Sequence, residues 1–161
     1  MEELQCLKQC CFSGHRPEKL LHTEDYIINE LEREILSAID SGFTTFITGM
    51  AKGTDIWAAK IVIKLRDSGI PIKLICASPY EGFEKKWDED WKKRYYDIIQ
   101  KADSVHYICK HYSRFCFQMR NQWMVDHSKR VIAVYNGSLG GTRNTIKYAN
   151  SKNILCVIID A

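Results

Sequence analysis

The sequence predicts a single α/β domain: a Rossmann-like, doubly wound, mainly parallel six-stranded sheet with helices on both faces. Three observations predict it. Short apolar runs alternate with longer segments of helical period along the whole chain. Residues 130–135 carry a continuous apolar run, as in a strand covered on both sides. Glycine and small hydroxyl residues gather in the loops that follow the apolar runs, while the loops before them read as plain turns. The 161 residues suit one domain spanning 1–161, with no linker, repeat or low-complexity stretch.

Residues 7–12 read as strand 1, stopped by Ser13-Gly14. Thr23 is placed to cap a helix running to about Asp40, with Ile28, Leu31, Ile35, Ala38 and Ile39 as its buried face. Gly42 ends that helix, and residues 43–48 form strand 2. A second helix covers 56–66; Gly69 suits its C-terminal stop and Pro71 forbids continuation. Strand 3 is 72–77. Trp87, Trp91, Tyr95, Ile98 and Ala102 form one stripe of a third helix, followed by strand 4 at 104–108. Ser113 is placed to cap a fourth helix with Cys116, Met119, Trp123 and His127 on one face. Strand 5 at 130–135, a short helix at 142–150 and strand 6 at 154–159 complete the pattern. The expected strand order is 3-2-1-4-5-6.

Composition narrows the function classes. The apolar fraction is 45% and the charged fraction 27%, both ordinary for a soluble globular protein. Net charge is +3, and the Lys85-Lys86 and Lys92-Lys93-Arg94 clusters read as solvated helix faces, which argues against nucleic acid as a partner. No run of 18 apolar residues exists, so no membrane span is expected. Met1-Glu2-Glu3-Leu4 lacks the basic and apolar regions of a signal peptide. Seven cysteines without a CxxC pair, several in apolar runs, suit buried thiols in a reducing cytoplasm. His106, Cys109, His111 and Cys116 fit no zinc spacing, so neither a metal nor a cofactor is expected. The phosphate loop G-x-x-x-x-G-K-[ST], the G-x-S-x-G elbow and the G-x-G-x-x-G fingerprint are all absent.

In an open parallel sheet, ligands bind beyond the carboxyl ends of the strands. The loops there hold the candidate binding residues. Ser13, Gly14, His15 and Arg16 follow strand 1. Gly49, Met50, Ala51 and Gly53 follow strand 2, with Asp55 and Trp57 opening the next helix. Ser78 and Tyr80 follow strand 3. Asn136, Gly140, Gly141 and Thr142 follow strand 5. Arg120 and Asn121 lie mid-helix between the buried-type Met119 and Trp123, so a buried guanidinium there needs a partner. Glycine-bearing loops that open helices offer free backbone N–H groups to an anion. Arg16 suits a phosphate or carboxylate. Asp55 suits either a ribose hydroxyl or the helix dipole.

Three stretches carry a family resemblance: Phe12-Ser13-Gly14-His15-Arg16-Pro17, the segment 49–59 from Gly49-Met50-Ala51-Lys52-Gly53 onward, and 120–126 through Gly140-Gly141-Thr142. They resemble the YpsA-like family of the SLOG superfamily, whose relatives include the SMF/DprA and Lonely Guy proteins. The resemblance covers nearly the whole chain. It implies a Rossmann-like domain binding a nucleotide or a nucleotide-derived molecule, such as an ADP-ribose-like or cyclic nucleotide signal. It also implies ligand contacts from the loops named above.

The resemblance to the Lonely Guy phosphoribohydrolases is partial. Their pattern resembles P-G-G-x-G-T-x-E-E after a helix with M-x-x-R-K-x-x-M. Here Arg143, Asn144 and Thr145 follow Gly140-Gly141-Thr142, with no carboxylate in the next turn. Cleavage through an oxocarbenium-like centre needs such a carboxylate. Binding is therefore expected ahead of catalysis, and Asp55 or Asp126 is the candidate acid if turnover occurs. A third reading, a single-stranded nucleic-acid or protein-interaction module, follows from relatives of the DprA kind. A homo-oligomer through the Trp87–Tyr95 segment is a possible assembly, and buried core explains those aromatics as well.

Overall fold

The computed structural model describes residues 8–161, so the segment Met1-Glu2-Glu3-Leu4 and the expected start of strand 1 at Leu7 lie outside the described residues. Six strands form one sheet: β1 (Gln9–Gly14), β2 (Thr45–Thr48), β3 (Lys73–Ser78), β4 (Ser104–Tyr107), β5 (Arg130–Tyr135) and β6 (Leu155–Asp160). Every pairing is parallel. The connecting helices are α1 (Glu24–Asp40), α2 (Thr54–Asp67), α3 (Glu89–Lys101), α4 (Cys116–Asp126) and α5 (Gly141–Ser151).

The spatial order is β4-β3-β2-β1-β5-β6. This corrects the expected order, because β4 lies outside β3 and not beside β1. The reason is where α3 packs. It lies against α2, so the chain keeps stepping toward one edge until β4 is laid down. Only the β4–α4–β5 connection turns back. The switch point therefore falls between β1 and β5, which pair from Cys10 with Arg130 to Gly14 with Val134.

Alternation along each strand builds two cores. Cys10, Phe12, Phe46, Leu74, Cys76, Ile132 and Val134 face α1, α2 and α3. Their neighbours Cys11, Ile47, Ala77, Val131 and Ala133 face the other way, onto Met124 and Val125 of α4 and Ala149 of α5. Each fully buried large side chain contributes roughly 1.5–3 kcal/mol by leaving water.

Helix ends and faces follow local chemistry. Thr23 Oγ1 accepts from the Tyr26 N–H at 3.2 Å, which is the expected cap of α1. The buried face of α1 is Ile27, Leu31, Ile35 and Ala38; Ile28 and Ile39 flank it, half-buried. Asp88 Oδ1 accepts from the Trp91 N–H at 3.0 Å and starts α3 after Trp87. Trp87 and Tyr95 meet Phe83 edge-on, with Tyr95 buried and Trp87 partly buried against the core. The expected face of α4 is corrected. Its buried residues are Cys116, Arg120, Met124 and Val125, and Met119 is exposed. The inward row runs in steps of four through an arginine, which a polarity-based reading turns outward.

No described helix is long and apolar enough to cross a membrane. Cys10, Cys11, Cys76 and Cys116 are buried free thiols. Burial pushes the Cys11 and Cys76 thiols up to about 12.

Candidate functional site

At the switch point, the loops after β1, β2 and β5 open a cleft of about 270 Å³. Ser13 and Gly14 line it from the end of β1, His15 and Arg16 from the loop after it, Ala51 from the loop after β2 and Asp55 from the start of α2. Arg120 and Asn121 line it from α4, and Gly141 and Thr142 from α5. Gly14 is required for this closeness: a Cβ there would stand 2.1 Å from Thr54 Oγ1. Gly53 precedes α2 with φ at +87°, where a side chain is strained and its Cβ would meet Pro17 Cδ at 2.9 Å.

The helix starts differ. α1 and α3 carry side-chain caps from Thr23 and Asp88. α2, α4 and α5 follow Gly53, Phe115 and Gly140 at their N-caps, and among the described residues none of the three has a side-chain cap. The opening N–H groups of α5, at Gly141 and Thr142, belong to cleft-lining residues and have no intrahelical acceptor. Such a helix start attracts an anion.

Arg120 and Asp55 set the electrostatics of the cleft floor. Arg120 Nη1 donates to the Gly49 carbonyl oxygen at 2.7 Å, and Nε donates to Asn121 Oδ1 at 3.1 Å. Asp55 Oδ2 accepts from the Ala51 N–H at 3.1 Å. Asp55 Oδ1 is buried and, among the described residues, has no hydrogen-bond partner. Burial pushes the Asp55 carboxyl up to about 6, against the opposing pull of the Arg120 guanidinium and the Ala51 N–H. Burial likewise lowers Arg120, and Asp55 resists that change. Gly49 is boxed in between them: a Cβ would stand 2.9 Å from Asp55 Oδ2 and 3.1 Å from Arg120 Nε.

His15 packs on the Tyr135 ring at 5.5 Å, and its Nε2 lies 3.4 Å from Ser138 Oγ. Burial, then the nearby Lys19 ammonium, lower its pKa, while the Asn136 side chain, as an acceptor, opposes them. Asn136 itself does not line the cleft. Its Nδ2 donates to the Lys19 carbonyl at 2.9 Å and its Oδ1 accepts from the Ser138 N–H at 3.0 Å. It ties the β1 and β5 loops together.

Several expected residues are placed elsewhere. Trp57 points away from the cleft into a groove with α1 and α3, with its ring 6.2 Å from Trp91. It stands two residues after Asp55, about 200° around the helix, and so faces the opposite side of α2. Ser78 is buried, and its hydroxyl is paired with Tyr95 Oη at 3.0 Å. Met50 is fully buried core. Tyr80 stands behind the cleft wall, edge-on to Phe83 and Phe117. Asp126 ends α4, does not line the cleft, and accepts from Tyr148 Oη at 2.7 Å. Gly49, Gly53 and Gly140 shape the loops and do not line the cleft.

The cleft also contains residues the sequence reading passed over. Lys19 lines it beside Gly140, with Nζ 3.8 Å from where a Gly140 Cβ would be. It sits three residues after Arg16 on the short helical turn Pro17–Lys19, a spacing that puts both cations on one side. Phe83 and Phe117 form an apolar wall, and the Arg120 guanidinium lies 5.7 Å from the Phe117 ring centre.

The family model described as the YspA SLOG family matches residues 10–158. The SPbeta prophage-derived protein YoqJ of Bacillus subtilis is 34% identical over 137 residues, covering 74% of this chain and 80% of that protein. A UPF0398 protein of Halalkalibacterium halodurans is 32% identical over 119 residues, covering 73% of this chain and 63% of that protein. Among solved structures, DNA processing protein A (DprA) of Streptococcus pneumoniae matches with a TM-score of 0.68 at 17% identity, over 99% of this chain and 52% of that one. DprA of Helicobacter pylori, whose structure describes a single-stranded DNA binding mode, matches with a TM-score of 0.67 at 18% identity, over 99% of this chain and 68% of that one. These two likenesses establish the Rossmann-like fold. They also correct the argument from charge against nucleic acid: a domain of this fold serves a DNA-binding protein, so a net charge of +3 excludes no such partner.

Proposed function

The chain belongs to the YspA SLOG family, and from that membership and the chemistry of the cleft we propose that it binds a nucleotide or nucleotide-derived small molecule at the switch point. One observation carries the reading. The uncapped start of α5 at Gly141 and Thr142, the cations Arg16 and Lys19, and the unpartnered Asp55 Oδ1 meet in a single cleft. A phosphate suits the N–H groups and the cations. A sugar hydroxyl suits Asp55 Oδ1, because a buried lone acceptor gains most from a donor. Phe117 and Phe83 offer a base an apolar wall. Buried free thiols support a reducing compartment, the cytoplasm.

The test is a thermal-shift panel of nucleoside mono- and diphosphates, ADP-ribose and cyclic nucleotides. A ligand at a hundred times its Kd adds about 2.7 kcal/mol to the folded state. For a domain of this size, that raises Tm by roughly 5–10 °C. A flat response across the panel removes the reading.

A second reading, single-stranded nucleic acid, has one specific feature in its favour. The loop after β4 carries Lys110, His111, Tyr112, Arg114 and Phe115, with Tyr112 and Phe115 largely exposed. Interleaved aromatics and cations suit stacked bases and their phosphates. This reading predicts an affinity for oligonucleotides that falls steeply with salt. It also predicts a loss of that affinity in Tyr112→Ala.

A further inference from the structure

We infer that the ligand has two nucleoside units joined through phosphate, and that the groove between α4 and α5 is the compartment for the second unit. The inference deepens the small-molecule reading and rests on it. The groove has a volume of about 580 Å³, larger than the cleft of about 270 Å³. The two are continuous, because Phe117, Asn121 and Gly141 line both. Both border the first turn of α5 at Gly141.

The two compartments differ in chemistry in the way a dinucleotide requires. The cleft gathers Arg16, Lys19, Arg120 and Asp55, whereas the groove carries two cations, Arg114 and Lys147, and no carboxylate among its described lining residues. The groove walls combine the amides Gln118, Gln122 and Asn144 with the rings of Phe117 and Tyr148. An amide offers a donor and an acceptor side by side, which matches the edge of a base. Among the described residues lining the groove there is no Asp or Glu to repel a phosphate.

Asn121 stands at the junction. Its Oδ1 is held by Arg120 Nε at 3.1 Å, which turns its Nδ2 toward α5, 3.8 Å from where a Gly141 Cβ would be. A side-chain N–H₂ and the opening backbone N–H groups of α5 thus converge where the compartments meet. That is where a bridging phosphate belongs, between one nucleoside in the cleft and one in the groove. Arg120 is the positioning residue for this amide.

Calorimetric titration tests it with the four nucleoside 5′-monophosphates, the matching 5′-phosphorylated homodinucleotides, and 5′-phosphorylated 12-mers of the same bases. For at least one base, the dinucleotide is expected to bind about tenfold or more tightly than its monophosphate. Gln122→Leu and Lys147→Glu, both on the solvent side of the groove, are expected to erase that gain while leaving monophosphate affinity within about twofold. Unchanged Tm values without ligand confirm that the variants fold. Monophosphate binding with no gain from the second unit overturns the inference and spares the small-molecule reading, as does an equal loss of both affinities in the variants. No binding of either overturns both. Provided the gain appears and the variants erase it, the 12-mer identifies the source: binding as tight as the dinucleotide makes the ligand a strand end, and weaker binding makes it a free dinucleotide.

Discussion

Arg120 donates through Nη1 to the carbonyl oxygen of Gly49 at 2.7 Å, joining residues 71 positions apart across the floor of the cleft. The bond fixes the loop after β2 against α4. It also holds a guanidinium near Asp55, whose buried Oδ1 has no hydrogen-bond partner among the described residues.

Replacing Arg120 therefore costs more than one hydrogen bond. Arg120→Met leaves the Gly49 carbonyl unpaired and Asp55 without its compensating charge. Urea denaturation is expected to show a loss of about 2–4 kcal/mol. Arg120→Lys recovers less than half of it, because an ammonium cannot reach both Gly49 O and Asn121 Oδ1 with a planar fork. The Asp55 carboxyl in the methionine variant is expected to titrate above its wild-type value of about 6.

Asp55 makes stability depend on pH in an unusual direction for an aspartate. Its folded pKa, about 6, lies above the ordinary 3.8, so the folded state holds the proton more tightly. Its contribution to stability falls as pH rises from about 4 to about 6 and stays low above that, by up to about 3 kcal/mol in all. Asp55→Asn keeps the acceptor for the Ala51 N–H and removes the titration. The variant is expected to gain on wild type between pH 4 and pH 7. A difference that is the same at both pH values contradicts the account.

The two cleft glycines are expected to behave differently. Gly14→Ala forces its Cβ onto Thr54, where even Thr54 Cβ would be 2.5 Å away. A loss of about 3 kcal/mol or more is expected in denaturant titration. Gly141→Ala meets Asn121 Nδ2 at an ordinary 3.8 Å, so its stability change stays within about 0.5 kcal/mol. Its methyl group narrows the start of α5, and nucleotide affinity is expected to fall instead.

Among the described cysteines, iodoacetamide is expected to label only Cys109 and Cys156 in the native protein, since the others are buried. Peptide mass spectrometry before and after unfolding reads the pattern. Rapid native labelling of Cys11 or Cys76 contradicts the packing described for β1 and β3.

Local features were legible in the sequence because local chemistry decides them. Thr23 caps α1 as its hydroxyl predicts, and β5 is buried on both sides as its apolar run predicts. The cleft-lining loops were legible because glycine is needed where β1 and α2 approach, at Gly14 and Gly53. Strand order was not, since the sequence of β4 carries no mark of which edge it joins; the packing of α3 on α2 decides that. Trp57 and Ser78 stand near the right loops, but side-chain direction turns them into the core. Arg120 stands out in the sequence by its position between apolar residues, while the buried face of α4 that it belongs to does not, because a polarity pattern turns an arginine outward. Lys19 and Phe117 join the site only once the β1 turn and α4 are in three dimensions.

Amide chemical-shift mapping during titration with a nucleoside 5′-monophosphate tests the central claim most directly. The account predicts that the largest shifts fall at Gly14, Ala51, Gly141 and Thr142, where backbone and cleft meet. Saturable shifts centred elsewhere, such as the Trp57 groove between α1 and α3, or no saturable shifts with any of the four bases, would contradict it.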